Sequence, residues 1–283
     1  IEASMFATLE AEGEAVLPAK QMLEIAKKLP NSDVVIEIKD GSAKIQAGRA
    51  KFTLQIMPAA EYPTLPTTDG VAVAVPGGVM WETITKVAFA AAKDDSRAFL
   101  SGVLTKIADG NLTMVATDSF RMAVRTVPAE GELEPTILPA RFLAELARTT
   151  GETIELIRGG SWAQAKTGRV RYLSRLLEGQ YPPYEKVLPD EGAVAVWVTA
   201  EREALLGALE RVSVLCKDDL AAVLIALDGN RLVVSHTNRN IGEAREELEV
   251  FVSGAQGARM DVALRPRYLR EVLRAATGKD VRI

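Results

Sequence analysis

From Leu17 the chain places apolar residues at offsets +5, +8 and +9: Met22, Ile25 and Ala26. The same offsets recur from Leu138 (Leu143, Leu146, Ala147) and from Leu264 (Leu269, Val272, Leu273). At about 100° per residue these positions gather on one side of a helix. A base at +3, an acid at +7 and a base at +10 fall within roughly 60° of one another on the opposite side. These trios are Lys20, Glu24, Lys27, then Arg141, Glu145, Arg148, then Arg267, Glu271, Arg274. Proline at or next to the second position of each copy suits a first helical turn, where its missing N–H is no loss. The copies start 121 and 126 residues apart, a spacing of small domains and not of solenoid units. The pattern predicts three related domains, over residues 1–69, 70–190 and 191–283.

Alternating stretches between the helices predict strands. Residues 34–38, 43–46 and 51–56 form one such set, turned at Lys39-Asp40-Gly41-Ser42. Residues 154–157 and a strand after Gly168 form another, turned at Gly159-Gly160-Ser161. Gly48-Arg49-Ala50-Lys51-Phe52 is echoed by Gly168-Arg169-Val170-Arg171-Tyr172, and Tyr62-Pro63 by Tyr181-Pro182. Residues 1–12 read as the end of a strand. Strands over 71–75 and 193–198 open the second and third domains. Helices over 80–93 and 200–217 follow, the latter capped by Thr199. They end alike, in Lys93-Asp94-Asp95 and Lys217-Asp218-Asp219. Hairpins then turn at Asp109-Gly110-Asn111 and Asp228-Gly229-Asn230. That turn precedes its repeated helix by 29 and 36 residues, so in the first copy it falls before residue 1. The third copy stops 19 residues after Leu264. The counts predict a three-domain protein of which roughly fifty residues in front and thirty behind are absent here.

Composition narrows the chemistry. A chain of 283 residues with 48% hydrophobic content can bury two or more cores. No apolar run reaches ~18 residues, which argues against a transmembrane helix. Ile1-Glu2-Ala3-Ser4-Met5 lacks the basic start and apolar core of a signal peptide. Cys216 is the single cysteine, which excludes an internal disulfide and fits a reducing compartment. The expectation is a soluble, cytoplasmic protein. One histidine and one cysteine cannot assemble a Cys/His metal site or a Ser/His/Asp triad with the usual partners. There is no Gly-rich phosphate loop. His236 reads as a strand end and Cys216 as core, and no metal or cofactor is expected. Carboxylate-only catalysis stays open on composition, although no paired acidic motif stands out.

The charged stripe has two readings. Intrahelical pairing of Glu24 with its lysines stabilises a helix by a few tenths of a kcal/mol. Alternatively, each trio's surplus positive charge, repeated three times in a chain of net charge −4, marks charge sorted by face toward a polyanion.

Val115-Ala116-Thr117-Asp118-Ser119-Phe120-Arg121-Met122-Ala123 resembles the Ala-Thr-Asp-Gly-His-Arg-Leu-Ala signature of the bacterial sliding clamp family, the beta subunit of DNA polymerase III. Gln180-Tyr181-Pro182-Pro183-Tyr184-Glu185-Lys186-Val187-Leu188-Pro189 is similar to that family's Phe-Pro-Asp-Tyr-Arg-Arg-Val-Leu-Pro. Leu100-Ser101-Gly102-Val103-Leu104 and Arg265-Pro266-Arg267-Tyr268-Leu269 match in place and order. The resemblance covers the whole chain. It implies an α+β DNA-clamp fold of tandem repeated domains, with helices lining the inside and antiparallel sheets outside. It further implies a head-to-tail homodimer, a ring that encloses duplex DNA and slides, without catalysis.

The implied partners are duplex DNA read without regard to sequence, the DNA polymerase III alpha subunit, a clamp loader and other proteins carrying clamp-binding motifs, with no membrane. Carried over by position, the DNA-facing bases are Lys20, Lys27, Lys86, Lys93, Arg97, Arg141, Arg148, Arg211, Lys217, Arg267 and Arg274. The family's partner-peptide cleft maps to Leu100, Thr117, Ser119, Phe120, Arg121, Met122, Pro182, Lys186, Val187, Leu220, Arg265 and Tyr268. Three departures stand out. Ser119 replaces Gly, where a positive φ is less comfortable for a side chain. Phe120 replaces His and reshapes the pocket. The C-terminal segment that completes the family's cleft is expected to be missing. Two rivals remain: a protein that grips duplex DNA without encircling it, and a duplicated carboxylate enzyme.

Overall fold

The computed structural model describes residues 1–283 apart from 95–96, 150, 218–219 and 255–258. Asp95, Asp218 and Asp219, expected at two helix ends, lie outside the described residues. In chain order the elements are β1 (Glu2–Ala3), α1 (Ala19–Lys28), β2 (Val34–Lys39), β3 (Ser42–Ala47), β4 (Ala50–Gln55), β5 (Ala72–Pro76), α2 (Gly77–Val87), β6 (Gly102–Ala108), β7 (Asn111–Thr117), β8 (Met122–Pro128), β9 (Leu133–Pro139), α3 (Ala140–Leu146), β10 (Thr153–Gly159), β11 (Trp162–Thr167), β12 (Val170–Arg175), β13 (Val196–Glu201), α4 (Arg202–Val212), β14 (Val223–Asp228), β15 (Arg231–Asn238), β16 (Gly242–Glu249), β17 (Phe251–Gly254), β18 (Arg259–Leu264), α5 (Pro266–Ala275) and β19 (Asp280–Arg282). They form two compact units, Ser4–Thr67 and Ile1–Ala3 with Thr68–Ile283.

In the smaller unit an antiparallel sheet runs β2-β3-β4. Asp40 (φ 52°) and Gly41 (φ 72°) make the two-residue turn that pairs Lys39 with Ser42, as a hairpin with both central φ positive requires. Gly48 and Gly168 share φ 55° at equivalent turns, which accounts for the sequence echo around them. One face of β3 buries Ala43, Ile45 and Ala47. Helix α1 buries its expected face only shallowly: Met22 and Ile25 are half-buried and Ala26 is exposed.

The larger unit holds the repeat in its clearest form. One sheet runs β8-β7-β6-β9 and another β16-β15-β14-β18, the same order twice. Strand β5 pairs antiparallel with β10, and β13 with β19. Each of these pairings closes the chain after a repeated helix, α3 or α5. The apolar faces collect into two clusters. One contains Met80, Ile84, Leu112, Leu143 and Leu146. The other contains Leu205, Leu209, Ile225, Leu232 and Leu273. Each fully buried leucine of this kind stabilises the fold by about 1.5–3 kcal/mol.

Several expectations need correction. Only Glu2 and Ala3 of the first twelve residues are a strand, and they pair with Arg171 and Val170 at the edge of β12. Helix α2 ends at Val87 and tightens into a 3-10 turn over Ala88–Ala90. The Ala92 N–H then bonds to the Leu100 carbonyl, which pulls the chain away from the helix axis and leaves Lys93 outside it. Thr199 is no helix cap, because it pairs with Phe251 on one side and Arg282 on the other. Strand β13 therefore runs from Val196 to Glu201 and α4 begins at Arg202. Its far end tightens at Ser213–Leu215, where the Ser213 hydroxyl donates back to the Leu209 carbonyl. Helix α3 spans only Ala140–Leu146, so Arg148 sits in the turn beyond it. In α5 the +8 residue Val272 is exposed and not part of the buried face. His236 lies inside β15, with its Nδ1 2.8 Å from the Ala222 carbonyl oxygen. Cys216 follows α4 and packs half-buried against the second cluster.

Candidate nucleic-acid interface and partner cleft

The acids of the repeated stripe do different work in different copies. Glu24 pairs with Lys27 at 3.6 Å, and Glu145 with Arg148 at 3.3 Å, both within their own segment. Glu271 instead reaches to the turn that follows β7, pairing with Arg121 and lying 3.9 Å from Lys93. Deprived of that acid, Arg274 pairs with Glu210 on α4 at 2.6 Å. Lys20, Arg97 and Arg141 are exposed and form no ion pair among the described residues. Such exposed cations keep their charge available to a polyanion.

The other bases are more engaged. Lys86 is largely covered and donates to Glu82 at 2.5 Å and to the Thr277 hydroxyl at 3.0 Å. The Lys86 hydrogen bond, followed by the nearby Arg125 charge, holds the Glu82 carboxyl below its ordinary value. Arg211 meets both oxygens of Glu246, and that hydrogen bond pushes the guanidinium pKa up. Lys217 and Arg267 line a common cleft of about 370 Å³ with Arg270 and Cys216. Arg270, which the stripe pattern does not single out, is the additional base there.

The candidate partner cleft is built on the turn between β7 and β8. Thr117 Oγ1 donates to the Arg121 carbonyl at 2.7 Å and accepts the Ser119 N–H at 3.1 Å. Asp118 Oδ1 accepts the Phe120 and Arg121 N–H groups at 3.0 and 3.1 Å. These bonds hold Ser119 at φ 77°, the left-handed region that glycine enters without cost. The Phe120 ring is pushed outward and is 72% exposed.

Arg121 turns the other way. Its Nε donates to Asp118 Oδ2 at 3.1 Å and its Nη2 to the Phe89 carbonyl at 2.9 Å. The guanidinium lies 5.4 Å from the Phe89 ring centre and 4.7 Å from that of Tyr268. Arg265 donates to the Tyr268 hydroxyl at 3.1 Å and covers the Phe120 ring at 5.1 Å. Arginine and aromatic groups thus alternate from Phe89 through Arg121, Tyr268 and Arg265 to Phe120, an arrangement favoured by cation–π attraction.

Of the expected cleft residues, Thr117, Ser119, Phe120, Arg121, Arg265 and Tyr268 belong to this linked group. Leu100 is 1% exposed and forms part of the interior. Met122 and Pro182 are half-buried, while Lys186, Val187 and Leu220 are exposed. The Tyr181 hydroxyl donates to the Val115 carbonyl at 3.1 Å, anchoring the 182–187 segment against β7. Asp118 lay within the recognisable motif, but Phe89 and Glu271 carry no cleft signal in the sequence.

Burial pushes the Tyr181 phenol up to about 12, with a Thr117 backbone hydrogen bond opposing the shift. An unfolded tyrosine ionises near 10. Between these values the unfolded chain holds fewer protons, so stability falls as pH rises. Tyr181→Phe is expected to remove that alkaline loss while costing about 1 kcal/mol at neutral pH. Urea unfolding of both proteins at neutral pH and near pH 11 checks this.

Sequence families add an independent comparison. The DNA polymerase III beta subunit pattern matches in three parts: the N-terminal domain at residues 1–66, the central domain at 74–183 and the C-terminal domain at 185–283. This chain belongs to the DNA polymerase III beta subunit family. The beta sliding clamp of Pseudomonas putida is 31% identical over 280 residues, covering 96% of this chain and 75% of the relative. The crystal structure of the DNA polymerase III beta subunit from Pseudomonas aeruginosa superposes with a TM-score of 0.87 at 30% identity, covering 96% and 75% of the two chains. The Bacillus subtilis DNA polymerase sliding clamp gives 0.89 at 26% identity, covering 97% and 74%.

The fold is accordingly the α+β clamp fold with repeated domains, and the protein is a DNA sliding clamp, a non-catalytic processivity factor in DNA replication. Neither the enzyme nor the direct-grip alternative is favoured. Among the described residues no helix is long and apolar enough to cross a membrane.

Proposed function

We propose that this chain works in the cytoplasm as part of a head-to-tail homodimeric ring. The ring encircles duplex DNA and tethers the DNA polymerase III alpha subunit and other motif-bearing proteins after a clamp loader has closed it. The proposed domains are residues 1–69, 70–190 and 191–283, each bringing basic helices toward the duplex. One observation carries the DNA reading: a base at +3 and another at +10 recur in all three copies of the repeated segment of a net-acidic chain. Loose contacts to phosphate through solvated bases attract the duplex without reading its bases, and ring closure supplies the residence time. The Phe120–Arg265–Tyr268 group is the proposed seat for short partner motifs with aliphatic or aromatic anchors.

The test loads the protein onto nicked circular DNA with a clamp loader and ATP, then separates complexes by gel filtration before and after linearisation. Release on cutting is the expected result. Retention on linear DNA would replace encirclement by direct gripping.

A further inference from the structure

We propose that Glu271 is a positioning residue of the partner cleft, holding Arg121 so that the Asp118–Arg121 turn presents Phe120. The inference rests on the reading of that turn as a cleft wall. Glu271 occupies the +7 place of the repeat, where Glu24 and Glu145 pair inside their own segments. In the third copy the carboxylate is given instead to Arg121, 150 residues away in sequence. The Arg121 side chain is 9% exposed and that of Glu271 23%. A guanidinium this covered needs compensating acceptors, because removing one leaves desolvated charge behind.

Its acceptors are Glu271, Asp118 and the Phe89 carbonyl. Asp118 is shared: one oxygen takes the Arg121 Nε, while the other takes the Phe120 and Arg121 backbone N–H groups. The carboxylate of Glu271 therefore bears on the backbone of the turn through two links. Loss of its charge releases one side of Arg121, and the guanidinium then competes differently for Asp118. The Tyr268 ring, three residues before Glu271 on α5, closes over the same guanidinium, so α5 and the turn are set by one group. A residue that merely strengthened the fold would slow exchange throughout its cluster. A positioning residue acts on the turn.

The experiment compares the natural protein with Glu271→Gln and Glu271→Asp, measuring amide hydrogen exchange together with binding of a labelled acidic peptide bearing leucine and phenylalanine anchors. Expected for Glu271→Gln is faster exchange at Phe120 and Arg121 with Met114 in β7 unchanged. Peptide affinity should fall roughly tenfold, the scale of one charged hydrogen bond. Glu271→Asp, which keeps the charge, should recover part of both effects. Unchanged exchange at Phe120 and Arg121, or equal acceleration at Met114, would overturn the positioning role. Faster turn exchange in Glu271→Gln with unaltered peptide affinity would keep the link to Arg121 but overturn its service to a cleft. Absence of peptide binding by the natural protein would do the same.

Discussion

Replacing Lys20, Arg97 and Arg141 together by alanine is expected to lower loading onto DNA and flatten its salt dependence. Every base that stops neutralising a phosphate reduces the slope of log affinity against log salt by roughly 0.9, so the triple variant should show a slope smaller by up to roughly 2–3 units. These three are exposed and without an ion pair among the described residues, so their charge is not already spent inside the protein. Lys86 offers the contrast. It is tied to Glu82 and Thr277, and its removal should alter the slope much less. Salt titrations of DNA association, run from low to physiological ionic strength, separate these cases. An unchanged slope in the triple variant would remove these three bases from the DNA-facing role.

Phe120→Ala should weaken partner-peptide binding by about tenfold to a hundredfold, the range of an aromatic anchor at an interface. The ring is exposed, rests on Arg265 and stands on a turn whose backbone is held by Asp118 and Thr117. It is therefore presented with little conformational freedom left to lose on binding. Because the ring contributes little to any core, thermal stability should hardly change. Val71, also an exposed apolar residue, serves as a control whose replacement by alanine should leave affinity as it was. Equal affinity in the Phe120 variant would take the turn out of the candidate cleft.

The glycine-to-serine departure from the family signature has a structural outcome. Ser119 does adopt the positive φ that glycine favours, at a cost of roughly 1–2 kcal/mol for an ordinary side chain. The turn tolerates it because the Thr117 hydroxyl and the Asp118 carboxylate satisfy three successive N–H groups. The sequence reading marked this position as uncomfortable for a side chain, and hydrogen bonds local to the turn supply the compensation.

Periodicity by itself determined much of this protein. The helix repeat, the hairpins turning at Asp109-Gly110 and Gly229, and the matching Gly48 and Gly168 turns all follow from short-range rules of φ, spacing and amphipathic faces. Those rules operate within a few residues, so a single chain displays them openly. The family motif around Thr117–Arg121 was legible for the same reason, since its bonds are almost all internal to the turn. Helix ends were less legible. The departures at Val87 and Thr199 depend on the Leu100 carbonyl and on strands β17 and β19, partners that lie beyond the few residues over which those rules operate.

The use of each charge was decided only by the tertiary structure. Glu24, Glu145 and Glu271 occupy one place in one pattern, yet only Glu271 crosses to Arg121. Likewise Lys86 and Arg141 looked alike as surface bases, but packing consumes one and leaves the other in solvent. Coulombic pairing depends on distance and local dielectric and not on separation in sequence. Which acid meets which base is therefore known only once the helices and sheets have packed.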